Sequence, residues 1–228
     1  MVGLFSQNMA AWSIADAGIL SIRGVTVPVY ATNSVKETEY IVNDAEIRIM
    51  FVNDQRQYDA AVEVMKTSKY LKKIIVFDRS VKLSGKESIY LDDFIKLGHE
   101  TNNDSELKKR ISSAKGEDLA TLIYTSGTTG EPKGVMLTHT NFLTMLFATG
   151  YPMPIGEDDV SFCFLPLSHV FERSWTYFMF DRGAENHYCH DTKQIMDFLK
   201  EVKPHYMTSV PRVWEKYTAQ LLKALNLH

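Results

Sequence analysis

Short apolar runs of strand length alternate with amphipathic stretches through the first third of the chain. The apolar runs are 25–30, 47–52 and 73–77. Between the first two, Ser34 and Glu37 have the spacing of a capping box, which predicts a helix that ends near Asn43. Asp54 precedes a second stretch whose apolar residues recur at helical spacing. Strands that alternate with helices predict βαβ units around a parallel sheet.

From residue 78 to 116 the sequence turns polar, with two short amphipathic pieces near Phe94 and Leu107. We interpret this stretch as a linker or a peripheral excursion from the fold. Further along, strand-like runs are 119–124, 135–137, 160–165, 186–188 and 205–210, and helical patterns are 141–149, 170–180, 192–202 and 212–225. The pattern predicts an α/β fold with parallel-rich sheets flanked by helices. We divide it into a first subdomain, 1–116, and a second, 117–228.

The charge balance and the cysteines of the chain argue against several classes of function. With 25 Lys and Arg against 28 Asp and Glu, the formal charge is −3, which does not favour nucleic acid as a partner. The two cysteines, Cys163 and Cys189, have apolar or aromatic neighbours and form no metal or redox pair, which fits a reducing, intracellular location. No secretory leader pattern and no apolar run of membrane-spanning length is present.

The stretch from Tyr124 to Val135 carries the most specific chemistry. A predicted strand leads into small, hydroxyl-bearing and glycine residues, followed by one lysine; the candidate phosphate ligands are Thr125, Ser126, Gly127, Thr128, Thr129, Gly130 and Lys133. Glycines let backbone N–H groups approach a phosphate, hydroxyls add donors, and lysine adds a positive charge. Pro132 before the lysine excludes a Walker A loop. The G-x-x-G of KH domains joins two helices, whereas this one joins apparent strands.

From the residues alone, two alternatives to a phosphate site remain. The stretch could be a mobile turn, and Lys133 could be an ordinary surface lysine. The stretch, however, resembles the signature of the adenylate-forming enzymes, the superfamily of acyl-CoA synthetases, luciferases and peptide-synthetase adenylation domains. Further segments agree in order: 24–30, 40–45, 158–160 and 165–173. The last of these, with the Val-Pro-Arg-Val at 210–213, is most similar to long-chain fatty acid:CoA ligases.

This resemblance implies that a fatty acid carboxylate attacks the α-phosphate of ATP, with Mg²⁺, and that coenzyme A then displaces AMP. It implies that the loop binds the β and γ phosphates, that Thr125 lies nearest phosphate and Mg²⁺, and that Lys133 acts in catalysis. His169 would lie beside the acyl and adenylate site, and Phe171 would contact substrate. From the residues alone, His169 is interpreted as a packed histidine at a helix start, and the aromatic residues after it are interpreted as core. Glu172 and Arg173 are expected to form an ion-paired helix start.

We expect the chain to be an N-terminal-domain fragment that is inactive alone, since the family's second Mg²⁺-binding loop, hinge and C-terminal lid domain have no counterpart in it. Two other functions remain open: an adenylating enzyme for another carboxylate, and a nucleotide-binding module without catalysis. We expect a cytoplasmic protein. Its exposed apolar faces, including the one with Trp214, are compatible with self-association and with peripheral contact at the inner face of a membrane.

Overall fold

The computed structural model describes residues 1–101, 103–125, 131–150 and 152–215. Their strands are β1 (Val2–Phe5), β2 (Thr26–Val29), β3 (Ile49–Val52), β4 (Lys73–Val76), β5 (Ser88–Tyr90), β6 (Leu119–Thr125), β7 (Lys133–Thr138), β8 (Val160–Cys163) and β9 (Glu185–Tyr188). Their α-helices are α1 (Ala10–Ser21), α2 (Val35–Asp44), α3 (Gln55–Thr67), α4 (Leu91–Glu100), α5 (Asp104–Ser112), α6 (His139–Gly150), α7 (Val170–Arg182) and α8 (Ile195–Val202).

Seven strands form one sheet in the order β5-β4-β3-β1-β2-β6-β7, and every neighbouring pair is parallel except β6 with β7. The second sheet pairs β8 with β9 in parallel. The predicted α/β architecture with parallel-rich sheets is confirmed. The large sheet runs across the proposed boundary at 116, because β6 pairs with β2 through Thr121 and Thr26.

Both helices predicted from capping residues begin where the sequence indicates. The hydroxyl of Ser34 accepts a hydrogen bond from the backbone N–H of Glu37, and the carboxylate of Asp54 accepts one from Gln57. Both capping boxes are complete. These helices, α2 and α3, cover one face of the large sheet with a core that includes Ile41.

The opposite face packs against α1 and, beyond it, against the second sheet. Trp12 and Ile19 of α1 share a cluster with Leu4 of β1 and with Cys163 at the end of β8. Neighbouring residues of a strand therefore point into different cores, as Leu4 and Phe5 do.

Three sequence interpretations need correction. Strand β1 and helix α1 were not predicted, although they lie at the centre of the fold. The polar stretch 78–116 is more ordered than a linker, since it supplies the edge strand β5 and helices α4 and α5, which are the amphipathic pieces near Phe94 and Leu107. The predicted strand 205–210 is wrong, because only Tyr206 makes a β-bridge, to Ser161.

The last predicted helix is described only in part. Residues 211–215 are helical and the rest of 212–225 lies outside the described residues. Trp214 is 52% exposed. No described helix combines the length and apolar character that crossing a bilayer requires.

Candidate active site

The proposed phosphate loop connects the two antiparallel strands of a hairpin. Thr125 is the last residue of β6 and pairs directly with Lys133, the first residue of β7. Both side chains are exposed. The other proposed ligands, Ser126, Gly127, Thr128, Thr129 and Gly130, lie outside the described residues. The loop follows the carboxyl end of a strand that is parallel to its neighbour β2, which is where open α/β sheets bind ligands.

Two tyrosines brace the base of this hairpin against α2. The hydroxyl of Tyr124 donates a hydrogen bond to Asp44, and the hydroxyl of Tyr40 donates one to the carbonyl of Pro132 over 3.0 Å. Their rings meet edge to face at 6.4 Å. Burial, together with the hydrogen bond to Asp44, raises the pKa of Tyr124 well above its usual value. The hydroxyl therefore stays protonated and remains a donor.

Gly134 lets the Tyr124 ring lie across the hairpin. The two residues are opposite each other in the β6–β7 pairing. A β-carbon at position 134 would approach the Cζ of Tyr124 to 3.2 Å, closer than ordinary van der Waals contact. The glycine that follows the motif's lysine thus supports the loop through packing.

His169 is the N-cap of α7 and is exposed. Its Nδ1 accepts a hydrogen bond from the backbone N–H of Phe171 over 3.2 Å. The helix-start role that the residues alone suggested is therefore present. It fixes the ring at the first turn of α7, with Nε2 as the atom left to face a ligand.

An apolar cavity of about 600 Å³ lies beside the start of α7. It is bounded by α6, by the Phe171 and Trp175 side of α7, and by residues 206–209. Phe171 is 47% exposed and lies on the wall of this cavity. Small-molecule binding sites are mostly apolar with few polar groups, so an exposed phenylalanine on the wall suits such a site.

The predicted ion pair between Glu172 and Arg173 is wrong. Arg173 turns toward α1, where its Nη2 and Nε donate to the two carboxylate oxygens of Asp16 over 2.6 and 2.9 Å. Glu172 turns the other way and accepts a hydrogen bond from Thr208 over 2.7 Å. Neighbouring helical residues point about 100° apart, so each found a partner on a different element.

Arg173 also ties α7 to β6, the strand that carries the loop. Its Nη1 donates to the hydroxyl of Thr121 over 2.6 Å. At the carboxyl ends of the strands, Asn8 after β1 donates to the carbonyl of Leu165 and accepts from the N–H of Leu167. Residues 165–167, which lead into α7, therefore lie at the carboxyl end of β1, and Arg173 holds the first turn of α7 against β6.

A smaller cavity of about 250 Å³ lies where the carboxyl ends of both sheets meet. Its walls come from residues 6–8 after β1, 30–32 after β2, and 189–192 after β9. The carboxyl ends of the two sheets thus border a cleft, and Ser168, the neighbour of His169, is part of its wall.

The described residues contain no group of three or more His, Cys, Asp or Glu that could hold a metal ion. At the loop, Thr125 offers a hydroxyl and Glu131 is exposed. This donor set suits a Mg²⁺ ion that brings most of its oxygen ligands with it as phosphate and water, rather than a cage built by the protein.

A model of the AMP-binding enzymes matches residues 1–227. The chain belongs to the AMP-binding enzyme family. Among curated relatives, this family member is 34% identical over 225 residues to a long-chain-fatty-acid CoA ligase of Xenopus laevis, covering 94% of the chain and 30% of the relative. It is 33% identical to a long chain acyl-CoA synthetase of Arabidopsis thaliana, covering 99% of the chain and 35% of that protein.

The fold agrees with solved structures of AMP-binding enzymes. A red-emitting luciferase from Phrixothrix hirtus superposes with a TM-score of 0.76 at 19% identity, over 93% of this chain and 40% of the luciferase. At that identity the likeness concerns the fold alone. This chain spans about a third of the length of the curated relatives that it matches.

Sequence reasoning missed the residues that support the site. Three of them, Tyr40, Asp44 and Gly134, lie inside the motif segments 40–45 and 124–135, but no role was predicted for them. Thr208 lies in the segment 205–210, which was wrongly predicted to be a strand. Hydrogen bonds such as Tyr124 to Asp44, 80 residues apart, leave no periodic signal in the chain. The one available signal was a pair of tyrosines in apolar segments, which commonly mark buried hydroxyl donors.

Proposed function

We propose that the intact enzyme activates a long-chain fatty acid with ATP, releases pyrophosphate, and transfers the acyl group from AMP to coenzyme A. The observation that carries the proposal is the β6–β7 hairpin, which sets Thr125 and Lys133 directly opposite each other at the carboxyl end of the sheet. A loop closed by these two residues supplies a hydroxyl donor and a positive charge to the same phosphate group.

The chemistry explains why such a loop is needed. A carboxylate is a poor acyl electrophile, since its charge repels nucleophiles and oxide is a poor leaving group. Attack by the carboxylate oxygen on the α-phosphorus forms the acyl-adenylate and breaks the bond to pyrophosphate. Negative charge then builds on the β and γ phosphates, where the Lys133 ammonium and the loop N–H groups stabilise it. Lys133 acts more strongly on the transition state than on bound ATP.

Mg²⁺ belongs to this proposal as the ion that accompanies ATP and neutralises its phosphates. In this proposal the Thr125 hydroxyl is one of its ligands. The donor set at the loop fits such an ion, as described above.

The acyl chain, in this proposal, occupies the apolar cavity beside α7. Phe171 forms part of the wall, and His169 at the cap orients the carboxylate end toward the adenylate. An apolar cavity of about 600 Å³, lined mostly by aliphatic and aromatic side chains, suits the hydrocarbon chain of a fatty acid.

We further propose that the chain forms the phosphate-loop part of a larger N-terminal domain, with subdomains 1–116 and 117–228 and a lid domain elsewhere in the protein. A cytoplasmic location with peripheral membrane contact, and self-association through exposed apolar surfaces such as that of Trp214, complete the proposal.

Acid-dependent thioester formation tests the function. The intact enzyme is supplied with ATP, Mg²⁺ and coenzyme A, and with palmitate, acetate, an aryl acid or a mixture of amino acids in turn. We expect palmitate to give the highest kcat/KM. A preference for any of the other acids would assign the enzyme to another carboxylate, and no thioester with any of them would favour a binding role without catalysis.

A further inference from the structure

Glu172 is a buried carboxylate with no positive partner among the described residues. It lies on the first turn of α7 and is 0% exposed. Its Oε2 accepts the hydrogen bond from Thr208, and the thiol of Cys163 and the backbone N–H of Leu165 also face the carboxylate. Burial raises the pKa of this carboxyl to about 7. A group that costs so much to bury needs a reason to be there.

Glu172 does not hold α7 in place through an ion pair. The ion pair that secures α7 to α1 is made by Arg173 with Asp16. On the Glu172 side, the thiol of Cys163 from β8 and the Thr176 hydroxyl one turn away are neutral groups. An apolar side chain would pack as well against the strands, so helix packing alone does not call for a carboxylate.

The partner of Glu172 belongs to the opposite wall of the apolar cavity. Residues 205 and 206 are held against β8 by backbone bonds, from His205 and Tyr206 to the carbonyl of Val160. Beyond Tyr206 the chain leaves the sheet and lines the cavity at 207–209. Within the described residues, the hydrogen bond from Thr208 to Glu172 is the one side-chain hydrogen bond that ties 207–209 to another element.

We propose that Glu172 is a positioning residue for the acyl site: its hydrogen bond with Thr208 holds the 207–209 wall against α7, which forms the facing wall through Phe171 and Trp175. This inference rests on the proposed function, since it concerns the cavity assigned to the acyl chain. A hydrogen bond to a carboxylate is strong and directional, so it fixes the spacing of two walls that share no strand pairing there.

The position of the 207–209 wall affects how the fatty acid binds, and it does not affect how ATP binds at the phosphate loop. The ATP-binding loop is braced independently, by Tyr40 and Tyr124 against α2. Loss of the Glu172–Thr208 bond is therefore expected to weaken fatty acid binding and to leave ATP binding unchanged. A contact that only stabilised the fold would lower the active fraction, and with it the apparent kcat, and would leave both KM values unchanged.

The test compares Thr208→Val with Thr208→Ser in the intact enzyme. Valine keeps the shape of threonine and removes the hydroxyl, while serine keeps the hydroxyl and removes a methyl group. We expect the valine variant to raise the KM for palmitate about tenfold, with the KM for ATP within about twofold of wild type. The serine variant restores the palmitate KM to within about threefold of wild type. Asp197→Asn, an exposed carboxylate on α8, is the control and leaves both constants unchanged.

The outcomes separate the inference from the function. If wild type makes no palmitoyl-CoA, the proposed function fails and this inference with it. If wild type is active and Thr208→Val leaves the palmitate KM unchanged, or shifts both KM values equally, the inference alone is overturned. Should the valine variant not fold, Thr208→Ala removes the hydroxyl without a new methyl against Glu172. Failure of both variants to fold would assign the contact a structural role only.

Discussion

At the scale of single residues, the site depends on a few groups whose partners set their chemistry. Lys133 is exposed at the start of β7, where a negatively charged ligand can reach it. Glu172, by contrast, is buried where its charge is unfavourable. We therefore expect Lys133 to affect catalysis, through the charge of the phosphates. We expect Glu172 to affect the stability of the fold, in a way that depends on pH.

Replacement of Lys133 by alanine removes a charge whose benefit grows as the pyrophosphate leaves. We expect Lys133→Ala in the intact enzyme to lower kcat for adenylation by an order of magnitude or more, about 1.4 kcal/mol at least. The KM for the fatty acid should hardly change. ATP–pyrophosphate exchange measures the step, with Lys96→Ala on α4 as the control. An unchanged exchange rate would return the loop to the status of an ordinary turn.

The pKa of Glu172 makes stability depend on pH in a defined window. Its carboxyl has a pKa of about 7 in the folded protein against 4.5 as a reference value. Because the folded pKa is the higher one, the protonated carboxyl favours folding, and this advantage is lost as the pH rises between these two values.

We expect the free energy of unfolding of wild type to fall relative to that of Glu172→Gln by roughly 2–3 kcal/mol between pH 5 and pH 8. Urea unfolding of both proteins across this range measures the difference. The exposed Asp197→Asn variant should run parallel to wild type. A difference that stayed constant, or changed sign, would show that Glu172 is ionised throughout or is stabilised as the anion.

At the scale of elements, the hairpin β6–β7 differs from the rest of the sheet. It is the one antiparallel pair among the described strands of the large sheet, and β7 is at the edge. An edge strand has neighbours on one side only, so the loop would move easily without support. The two tyrosines on its inner side and Gly134 provide that support.

A methyl group at position 134 should loosen the hairpin. In Gly134→Ala the new β-carbon would lie 3.2 Å from Cζ of Tyr124, and the ring would have to move away from Asp44. We expect adenylation to slow by about tenfold or more, with a loss of about 1–2 kcal/mol in the free energy of unfolding.

Gly18→Ala is the matched control. Gly18 is in the middle of α1 and its new β-carbon would meet nothing within 4 Å. Alanine should therefore stabilise the helix by about 0.5–1 kcal/mol without affecting catalysis. Equal effects of the two substitutions would show that Gly134 has no particular packing role.

At the scale of the whole molecule, a buried network joins α1 and α7 to two strands of the large sheet. Asp16 of α1 accepts hydrogen bonds from Arg173 and Tyr177 of α7 and from Thr26 of β2. Arg173 then reaches Thr121 on β6. Since both charges are fully buried, neither has water as an alternative partner.

We expect Asp16→Ala to lower the free energy of unfolding by about 3–5 kcal/mol, because it leaves the guanidinium of Arg173 buried without its counter-charge. Thermal and urea unfolding measure this loss. Arg79→Ala, which breaks an exposed pair with Asp92 and Asp93, should cost at most about 1 kcal/mol. Similar losses in the two variants would mean that the buried network contributes no more than a surface pair.

The sequence by itself determined the features that depend on near neighbours in the chain. The capping residues Ser34 and Asp54 placed two helix starts, because a cap needs only the next three residues. Alternating strands and helices indicated the parallel sheet, and the spacing from Thr125 to Lys133 marked the loop. The family match agrees with the resemblance that these motifs showed.

Only the tertiary structure decided which residues meet across the chain. The central strand β1 is four residues long and carries no periodic signal sufficient to predict it. Arg173 could have paired with its neighbour Glu172, and it pairs instead with Asp16, 157 residues away. The partner of Arg173 follows from how α7 packs between α1, β6 and β8. A buried charge has no water to bind, so it pairs with the opposite charge that lies beside it in the packed interior. Local spacing contains no information about that partner.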